Sequence, residues 1–362
     1  MGTLERISDT IQKQNTNMRI GFLIPSSVKV INGGVRRQAT ETAHHLQNFG
    51  LSIQWIESVD DLNDVDLLHI FVASPEHRSF LVEWKAYQRK TTKRIPIVLS
   101  PVFFSPKSVS RTKRKIQLER LLHPLLLGYE SEYYFKSELC NLADFLVPNT
   151  LDEREQVHQL FDIPLNRMEV IHNGVEQRFL TADAALFQQS YGSEPFILFA
   201  GQAGSTRKNV KKLLEVAPNL PARLVVIGDL GSDVYSTECK KLMKEHQVLH
   251  IPNLDHDDPL LASAYAAAKV FVLPSLFETP GIAAMEAALA GAQIAITERG
   301  GTREYFSNGA SYLNPYSGKS IVDAIQEAFE RDDEKARNTI SSRYTWEKVA
   351  SDTLAVYHRI IG

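Results

Sequence analysis

Short apolar runs alternate with amphipathic stretches along most of this 362-residue chain. Several of the runs, such as FILFAG at 196–201 and VFVLP at 270–274, are apolar at every position. Strands of that kind are buried on both faces, as in parallel sheets that are covered by helices. The alternation therefore predicts an α/β fold built from parallel β–α units.

The series of units runs twice, and residues 172–195, which lack a strong period, separate the two halves. The predicted strands are 18–24, 51–56, 66–72, 95–100, 145–148, 168–172, 196–201, 222–228, 248–251, 270–274 and 293–297. Predicted helices include 35–49, 76–90, 233–246, 258–268 and 318–330. We expect two Rossmann-like domains with a cleft between them and ligands at the carboxyl ends of the strands.

The composition excludes several classes of protein. The net charge of −3 gives no nucleic-acid footprint, and the two cysteines, Cys140 and Cys239, cannot form a disulfide framework. Residues 1–19 lack the apolar core of a signal peptide, and no run reaches the ~18 apolar residues of a membrane span. We therefore expect a cytoplasmic protein whose membrane contact, if it has one, is peripheral.

The segment FETPGIAAMEAALAG, at 277–291, joins a strand to a helix and carries Glu278 just before the helix. Thr279 is predicted to cap the helix, Pro280 to occupy its first position, and Gly281 to allow a close backbone approach. The free N–H groups of such a helix start suit an anionic phosphate.

Glu286 stands among alanines in the same helix, about two turns inside by the predicted start. A buried carboxylate needs polar partners, and a ribose diol is a natural bidentate one. The alternative is that Glu286 simply points to solvent, as most glutamates do.

Two further loops follow strands and are rich in glycine. In FAGQAGSTRKNV, at 199–210, Gly201 ends a strand, and Arg207 and Lys208 could neutralise a phosphate, although ordinary surface cations would look the same. In the first loop, Gly33 and Gly34 open a helix and could cradle a phosphate, although a simple turn with a cap would also place them there.

These motifs together resemble a known family, the retaining, nucleotide-sugar-dependent GT-B glycosyltransferases of family 4 (glycosyl transferases group 1). The two glutamates separated by seven residues are the most specific feature of the resemblance. It also includes NGGV at 32–35, VPNTLDE at 147–153, VIHNGVE at 170–176, RKN at 207–209, LVVIGD at 224–229, LASAYAAAKVFVLPSLFETPGIAAMEAALAG at 261–291, GGTREYF at 300–306 and YTWEKVASDTLAVYHRII at 344–361.

The resemblance implies a domain plan and an activity. Residues 1–178 would bind the acceptor, residues 179–343 would bind the nucleotide sugar, and a helix at 344–362 would pack back on the N-terminal domain. The implied reaction moves a sugar, with retention, from a nucleoside-diphosphate donor to a saccharide or lipid-linked acceptor in cell-surface polysaccharide or glycan biosynthesis. The family uses no metal and no cofactor beyond the sugar nucleotide.

The resemblance also implies residue roles. Glu278 would contact the donor sugar or lie near its developing positive charge, Arg207 and Lys208 would neutralise the leaving diphosphate, and Glu286 would hold the ribose hydroxyls. The remaining donor-binding residues would be Thr279, Gly281, Ile282, Gly33, Gly34 and Gly201. The acidic DHDD at 255–258 fits a helix start better than a metal site.

The chain departs from the family pattern at several positions. Gln202 stands where many relatives have an arginine, Ser100 and Pro101 stand where many have a histidine, and E-G-F-G becomes ETPG at 278–281. The N-terminal catalytic assignment therefore stays open. The other candidate histidines are interpreted as structural or surface residues, namely His44, His45, His69 and His77.

These departures favour one alternative function, a non-catalytic glycosyltransferase-like subunit that binds a partner enzyme or acceptor. The intact Glu278, Glu286 and Lys208 oppose it, and a GT-B epimerase or phosphorylase fits the ETPGIAAMEA motif less well. The donor nucleotide and sugar, the acceptor, the linkage and the oligomeric state are left open.

A basic run at 107–128 turns into leucines at its end. Such a stretch can lie on an anionic membrane surface at the inner face, next to a lipid-linked acceptor. The alternative is an exposed helix whose leucine stripe faces the core.

Overall fold

The computed structural model describes residues 18–30, 33–91, 93–122, 131–252 and 254–362. The chain divides into two compact units, Met1–Asn173 with Trp346–Gly362, and Gly174–Thr345. Asn32 and residues 123–128 of the basic run lie outside the described residues. None of the helices in the described ranges combines the length and the apolar character that a membrane crossing requires.

The strands of the first unit are β1 (Arg19–Leu23), β2 (Ser52–Trp55), β3 (Leu67–Phe71), β4 (Ile97–Ser100) and β5 (Phe145–Leu146). Its helices are α1 (Ser26–Val30), α2 (Gly34–Asn48), α3 (Arg78–Lys90), α4 (Val109–Leu122), α5 (Glu132–Leu142), α6 (Leu151–Phe161) and the C-terminal α15 (Trp346–Ile361). All strand pairs are parallel, in the order β2-β1-β3-β4-β5.

The strands of the second unit are β6 (Phe196–Ala200), β7 (Arg223–Ile227), β8 (Leu249–Ile251), β9 (Val270–Leu273), β10 (Gln293–Thr297) and β11 (Ala310–Leu313). Its helices are α7 (Ala185–Tyr191), α8 (Val210–Glu215), α9 (Val234–Glu245), α10 (Pro259–Ala267), α11 (Ile282–Ala290), α12 (Thr302–Phe306), α13 (Gly318–Glu330) and α14 (Lys335–Arg343). This sheet is also parallel, in the order β11-β10-β9-β6-β7-β8.

The fold class is confirmed, because each unit contains one parallel, helix-covered sheet of the Rossmann type. The central strands are buried along their whole length, as their uninterrupted apolar runs indicated. One predicted strand is absent, and one observed strand was not predicted. Residues 168–172 contribute only an isolated bridge from Met168 to Leu146, and β11 was not predicted because Ser311 and Tyr312 interrupt its apolar run.

The C-terminal helix α15 belongs to the first unit and packs on α2, which confirms the expected return of the chain. On its inner face, the hydroxyl of Tyr357 lies 2.5 Å from Nδ1 of His69, and Nε2 of His69 lies 2.9 Å from Oγ of Ser100. Burial lowers the pKa of His69 to about 3, so this histidine is neutral and holds strand and helix together.

Candidate functional site

Strands β6 and β9 are neighbours in the second sheet, so the loops at their carboxyl ends meet. Asn209, in the first of these loops, donates from Nδ2 to the carbonyl of Pro274 at 3.1 Å and to that of Pro315 at 2.8 Å. These bonds fix Arg207 and Lys208, which precede Asn209 in a short 3₁₀ helix, beside the segment that carries Glu278.

One oxygen of Glu278 collects three donors. Its Oε1 atom accepts from Nζ of Lys208 at 2.6 Å, from Nη1 of Arg207 at 3.2 Å and from Oγ of Ser275 at 2.6 Å. The side chain of Glu278 is 7% exposed, that of Lys208 is 14% exposed, and that of Arg207 is 36% exposed. The structure therefore groups the three residues that were predicted as catalytic, and adds Ser275.

The two cations and Glu278 each stabilise the charged form of the other. Burial alone would raise the pKa of Glu278, but Lys208 and Arg207 outweigh it and hold that pKa below its usual value. Burial also lowers the pKa of Lys208, and the charge of Glu278 offsets only part of that effect. Arg207 is the most exposed of the three side chains, and the two cations share one carboxylate. The cluster therefore has positive charge available to bind a diphosphate.

The backbone of Glu278 is held by the loop after β10. Its N–H donates to the carbonyl of Arg299 at 3.1 Å, and its carbonyl accepts from Gly301 N at 3.0 Å. Gly300, at a φ of +91°, makes this approach possible, because a Cβ atom there would lie 2.0 Å from the Glu278 carbonyl oxygen. The glutamate is thus fixed through its main chain as well as its side chain.

Helix α11 begins later than predicted. Ile282 is its first residue and Gly281 is its cap, at a φ of +78°, so the predicted roles of Thr279 as cap and Pro280 as first helical residue are wrong. A left-handed backbone conformation favours glycine, so the turn before the helix is made at Gly281. The cap therefore lies two residues later than predicted. No side chain within the described ranges caps the helix, which leaves its first N–H groups to other partners.

Glu286 is buried, so the alternative in which it points to solvent is wrong. It lies about one turn inside α11 rather than two, because the helix starts at Ile282. Its Oε1 atom lies 2.7 Å from Nε2 of His256, and its Oε2 atom accepts from the hydroxyl of Tyr265 at 3.1 Å. Burial, followed by the charge of Glu286, raises the pKa of Tyr265 well above its usual value, so Tyr265 stays a donor.

The residues of the acidic loop at 255–258 have different roles. Asp258 caps α10, with its side chain accepting from Leu260 N at 2.8 Å, as expected for an acidic helix start. Glu176, His256 and Asp257 place one ligand atom each within 4.8 Å of one another. Arg178 lies among them, with Nη2 at 3.3 Å from Asp257 and Nε at 2.6 Å from Glu176, so a guanidinium already supplies the positive charge.

The glycines predicted to bind the donor lie in both units. Gly201 follows β6 at a φ of +148°, and its N–H donates to the carbonyl of Ile227 at 3.0 Å. Gly33 and Gly34 belong to the first unit, where Gly33 caps α2 with extended backbone and Gly34 is the first residue of the helix. Their expected contact with a donor stays a prediction.

Sequence reasoning missed Ser275, Tyr265 and His256. Ser275 follows β9 directly and lies three residues before Glu278, so its position next to the predicted site was a usable signal. Tyr265 and His256 precede Glu286 by 21 and 30 residues, and no spacing rule joins them to it. Packing of α10 against α11 creates both contacts.

Comparison with known proteins agrees with this geometry. The family model of glycosyl transferases group 1 matches residues 185–346, which lie in the second unit apart from the last residue. An uncharacterised glycosyltransferase from Methanocaldococcus jannaschii is 26% identical over 225 residues, covering 56% of this chain and 57% of that protein. The chain spans about half the length of the curated relatives it matches.

Solved structures share the whole fold. Sucrose-phosphate synthase from Thermosynechococcus elongatus matches with a TM-score of 0.72 at 16% identity, covering 95% of this chain and 99% of that one. Anabaena HepE in complex with UDP-glucose matches with a TM-score of 0.69 at 16% identity, covering 94% of this chain and 100% of that one. At this level of identity the likeness shows the GT-B fold and no more.

Proposed function

We propose that the chain transfers a sugar, with retention, from a nucleoside-diphosphate donor to a saccharide or lipid-linked saccharide acceptor, because the family model of glycosyl transferases group 1 matches residues 185–346. One observation carries the proposal. Glu278 lies just before one helix and pairs with two cations, and Glu286 lies inside that helix and is hydrogen-bonded by His256 and Tyr265. The first arrangement suits a diphosphate and a sugar, and the second suits a ribose.

In this proposal the cations act on the leaving group. As the bond from the sugar to the diphosphate breaks, negative charge grows on the departing phosphate oxygens. Lys208 and Arg207 would balance that charge. A preorganised cation in a partly buried site stabilises a transition state more strongly than a cation in water does. Glu278 then faces the anomeric carbon, where positive charge develops. Thr279 and Ile282, which follow Glu278 in the chain, and Gly201, which follows β6, are proposed to line the donor path.

The second unit is proposed to bind the donor and the first unit the acceptor. A cavity of about 200 Å³ opens at the carboxyl ends of β1 and β2, with Glu57, Glu76 and Lys29 in its wall. Glu76 accepts from the N–H and the hydroxyl of Ser27, and Glu57 pairs with Lys29 at 3.0 Å. Carboxylates that keep free lone pairs are suitable partners for saccharide hydroxyls.

Ser100 does not replace the catalytic histidine that many relatives have at this position. Its side chain is 1% exposed and is bonded to His69, so it cannot take a proton from an acceptor. The proposal instead assigns the acceptor proton to the departing phosphate, which needs no protein base.

Titration with nucleotides tests the proposal directly. We expect UDP to bind in calorimetry, more tightly than GDP or ADP, since HepE, a structural neighbour, is known in complex with UDP-glucose. The UDP-sugar that turns over then identifies the donor. A folded sample that binds none of the three nucleotides would contradict the transferase and favour the non-catalytic subunit.

We also propose that α4 docks on an anionic membrane surface. Within the described part of the basic run, Leu118 and Leu121 are 57% and 76% exposed, which opposes a core-facing leucine stripe there. Arg111, Arg114 and Lys115 are exposed on the same helix, and each cation near an anionic leaflet adds about 1 kcal/mol. The helix thus combines apolar insertion with electrostatic attraction.

Flotation with vesicles tests this docking. The protein should float with vesicles that contain phosphatidylglycerol and stay behind with neutral ones, and a Leu118→Ser, Leu121→Ser double variant should lose most of the binding. Leu186→Ser, at a leucine that is 44% exposed on α7, serves as the matched control and should float normally. Wild-type protein that fails to float with either vesicle would exclude the contact.

A further inference from the structure

We propose that His256 is a positioning residue of the nucleotide site, which presents the Glu286 carboxylate to the ribose hydroxyls and so sets the preference for ribose over deoxyribose. This inference rests on the proposed function and goes beyond it, since it names the residue that orients the Glu286 carboxylate toward the ribose. The starting observation is the bond of 2.7 Å from Nε2 of His256 to Oε1 of Glu286.

The hydrogen bonds of His256 fix its tautomer. Nη2 of Arg178 lies 2.7 Å from Nδ1 of His256 and donates also to the His256 carbonyl at 2.6 Å. A guanidinium has donors only, so Nδ1 must offer its lone pair. The ring proton is therefore on Nε2, and it points at Glu286. An imidazole held in this way is a directed donor to Glu286.

The surroundings of the ring keep it in place. The carboxylates of Glu176 and Asp257 lie 3.6 and 3.4 Å from Nδ1, and the Arg178 guanidinium contacts Nδ1 and both carboxylates. The ring of Phe179 meets the imidazole edge-on, with centroids 5.6 Å apart. On the other side, Nε2 faces Glu286, whose second oxygen is held by Tyr265.

The count of acceptor positions supports a diol. An ionised carboxylate offers about four lone-pair positions, two on each oxygen. His256 uses one on Oε1 and Tyr265 uses one on Oε2, so about one position on each oxygen remains. Two remaining acceptors, on two oxygens of one rigid plane, match the two neighbouring hydroxyls of a ribose.

Burial places His256 on the open side of the pair. Its side chain is 21% exposed, whereas that of Glu286 is 6% exposed and Tyr265 is 2% exposed. The imidazole is therefore the most solvent-accessible of the three side chains. Without the Nε2–H donor, the carboxylate could rotate about its side chain, and the fixed relation between the two free positions would be lost.

The experiment compares UDP with 2′-deoxy-UDP by calorimetry in the full chain. The wild type should bind UDP about tenfold more tightly, the value of one hydrogen bond to a charged group. In His256→Ala this preference should shrink to about twofold or less, since the Glu286 carboxylate is no longer held in one orientation. In His256→Gln it should persist, because the amide nitrogen of glutamine can replace Nε2, whereas asparagine is too short to do so.

Controls separate positioning from general damage. His246→Ala alters the histidine that ends α9 and should leave the affinity for both nucleotides unchanged. If His256→Ala weakens the binding of UDP and of 2′-deoxy-UDP by the same factor, so that the preference for UDP is intact, the inference is overturned. If His256→Ala does not fold, the contrast between His256→Gln and His256→Asn decides, and equal preferences in those two would overturn it.

The two proposals fail in different ways. Wild-type protein that binds none of UDP, GDP and ADP would refute the transferase site, and this inference with it. Wild-type protein that prefers UDP, together with His256→Ala that keeps the same preference, would refute the role of His256 alone.

Discussion

Replacing Lys208 with methionine is expected to lower kcat by about a hundredfold to a thousandfold, with a much smaller change in donor KM. Losing one preorganised group that balances transition-state charge typically has an effect of this size. Methionine keeps the apolar stem, while the bond from Nζ to Glu278 at 2.6 Å disappears. Steady-state kinetics with the donor that turns over measures both constants.

The matched control for this variant is Lys211→Met. Lys211 lies three residues further along and pairs with Glu238 at 2.6 Å on the surface, so its loss should leave kcat unchanged. Since Lys208→Met leaves a buried Glu278 with fewer partners, its thermal stability must be compared with that of the wild type. A folded Lys208→Met enzyme with normal turnover would contradict the assigned role.

The pH profile offers a second readout of the same residue. Burial lowers the pKa of Lys208 below its usual 10.5, and the cation is lost as the pH rises through that lowered value. The alkaline decline of kcat/KM, which reports the free enzyme, should therefore begin earlier than for an exposed lysine. A Lys208→Arg enzyme with residual activity should not show that decline, because arginine stays charged.

Replacing Glu286 with alanine is expected to weaken UDP binding by about a hundredfold, because two hydrogen bonds to a charged acceptor are lost together. The effect should appear in the dissociation constant, whereas the Lys208 variant should retain most of its affinity. Calorimetry of both variants with UDP tests this division between binding and turnover.

A control is needed because Glu286 also accepts from His256 and Tyr265, and alanine leaves both donors without that acceptor. Glu286→Gln keeps an acceptor oxygen and should fold more stably than Glu286→Ala, while still losing much of the affinity. Glu327→Ala, at an exposed glutamate of α13, should bind UDP normally. Wild-type affinity in a folded Glu286→Ala protein would refute the ribose assignment.

The position of Glu286 illustrates why a buried carboxylate on an alanine-rich helix is informative. An unpartnered charge at 4% exposure would destabilise the fold, so its partners must be supplied by the tertiary structure. Here they are a tyrosine that stays protonated and a histidine whose tautomer is set by an arginine. The carboxylate is thereby stable without a ligand and still has acceptor capacity for one.

Several features of this protein followed from the sequence alone. The uninterrupted apolar runs of strands such as β6 and β9 required burial on both faces, which only a parallel, helix-covered sheet provides. The order of β–α units then placed the loops of Lys208 and Glu278 at one edge of one sheet, because the carboxyl ends of parallel strands share an edge. The pair of glutamates in that setting indicated a resemblance to the glycosyl transferases group 1 family, whose model matches residues 185–346.

Other features were decided by the tertiary structure. Strand β11 exists because β10 offers it a register from Ile294 to Ala310, although its own sequence has a weak pattern. The start of α11 moved to Gly281 because the turn there adopts a conformation that favours glycine over a capping threonine. Local sequence rules describe neither effect, since both depend on segments that are distant in the chain.

The partners of Glu286 are the clearest case. His256, Tyr265 and Arg178 come from a loop, from α10 and from a 3₁₀ segment, and they meet only when α10 packs against α11. The sequence singled out Glu286 as a carboxylate on an otherwise apolar helix, and the folded structure decided that it is buried. The folded chain determined which donors reach it, because hydrogen bonds depend on distance and direction in space rather than on separation along the chain.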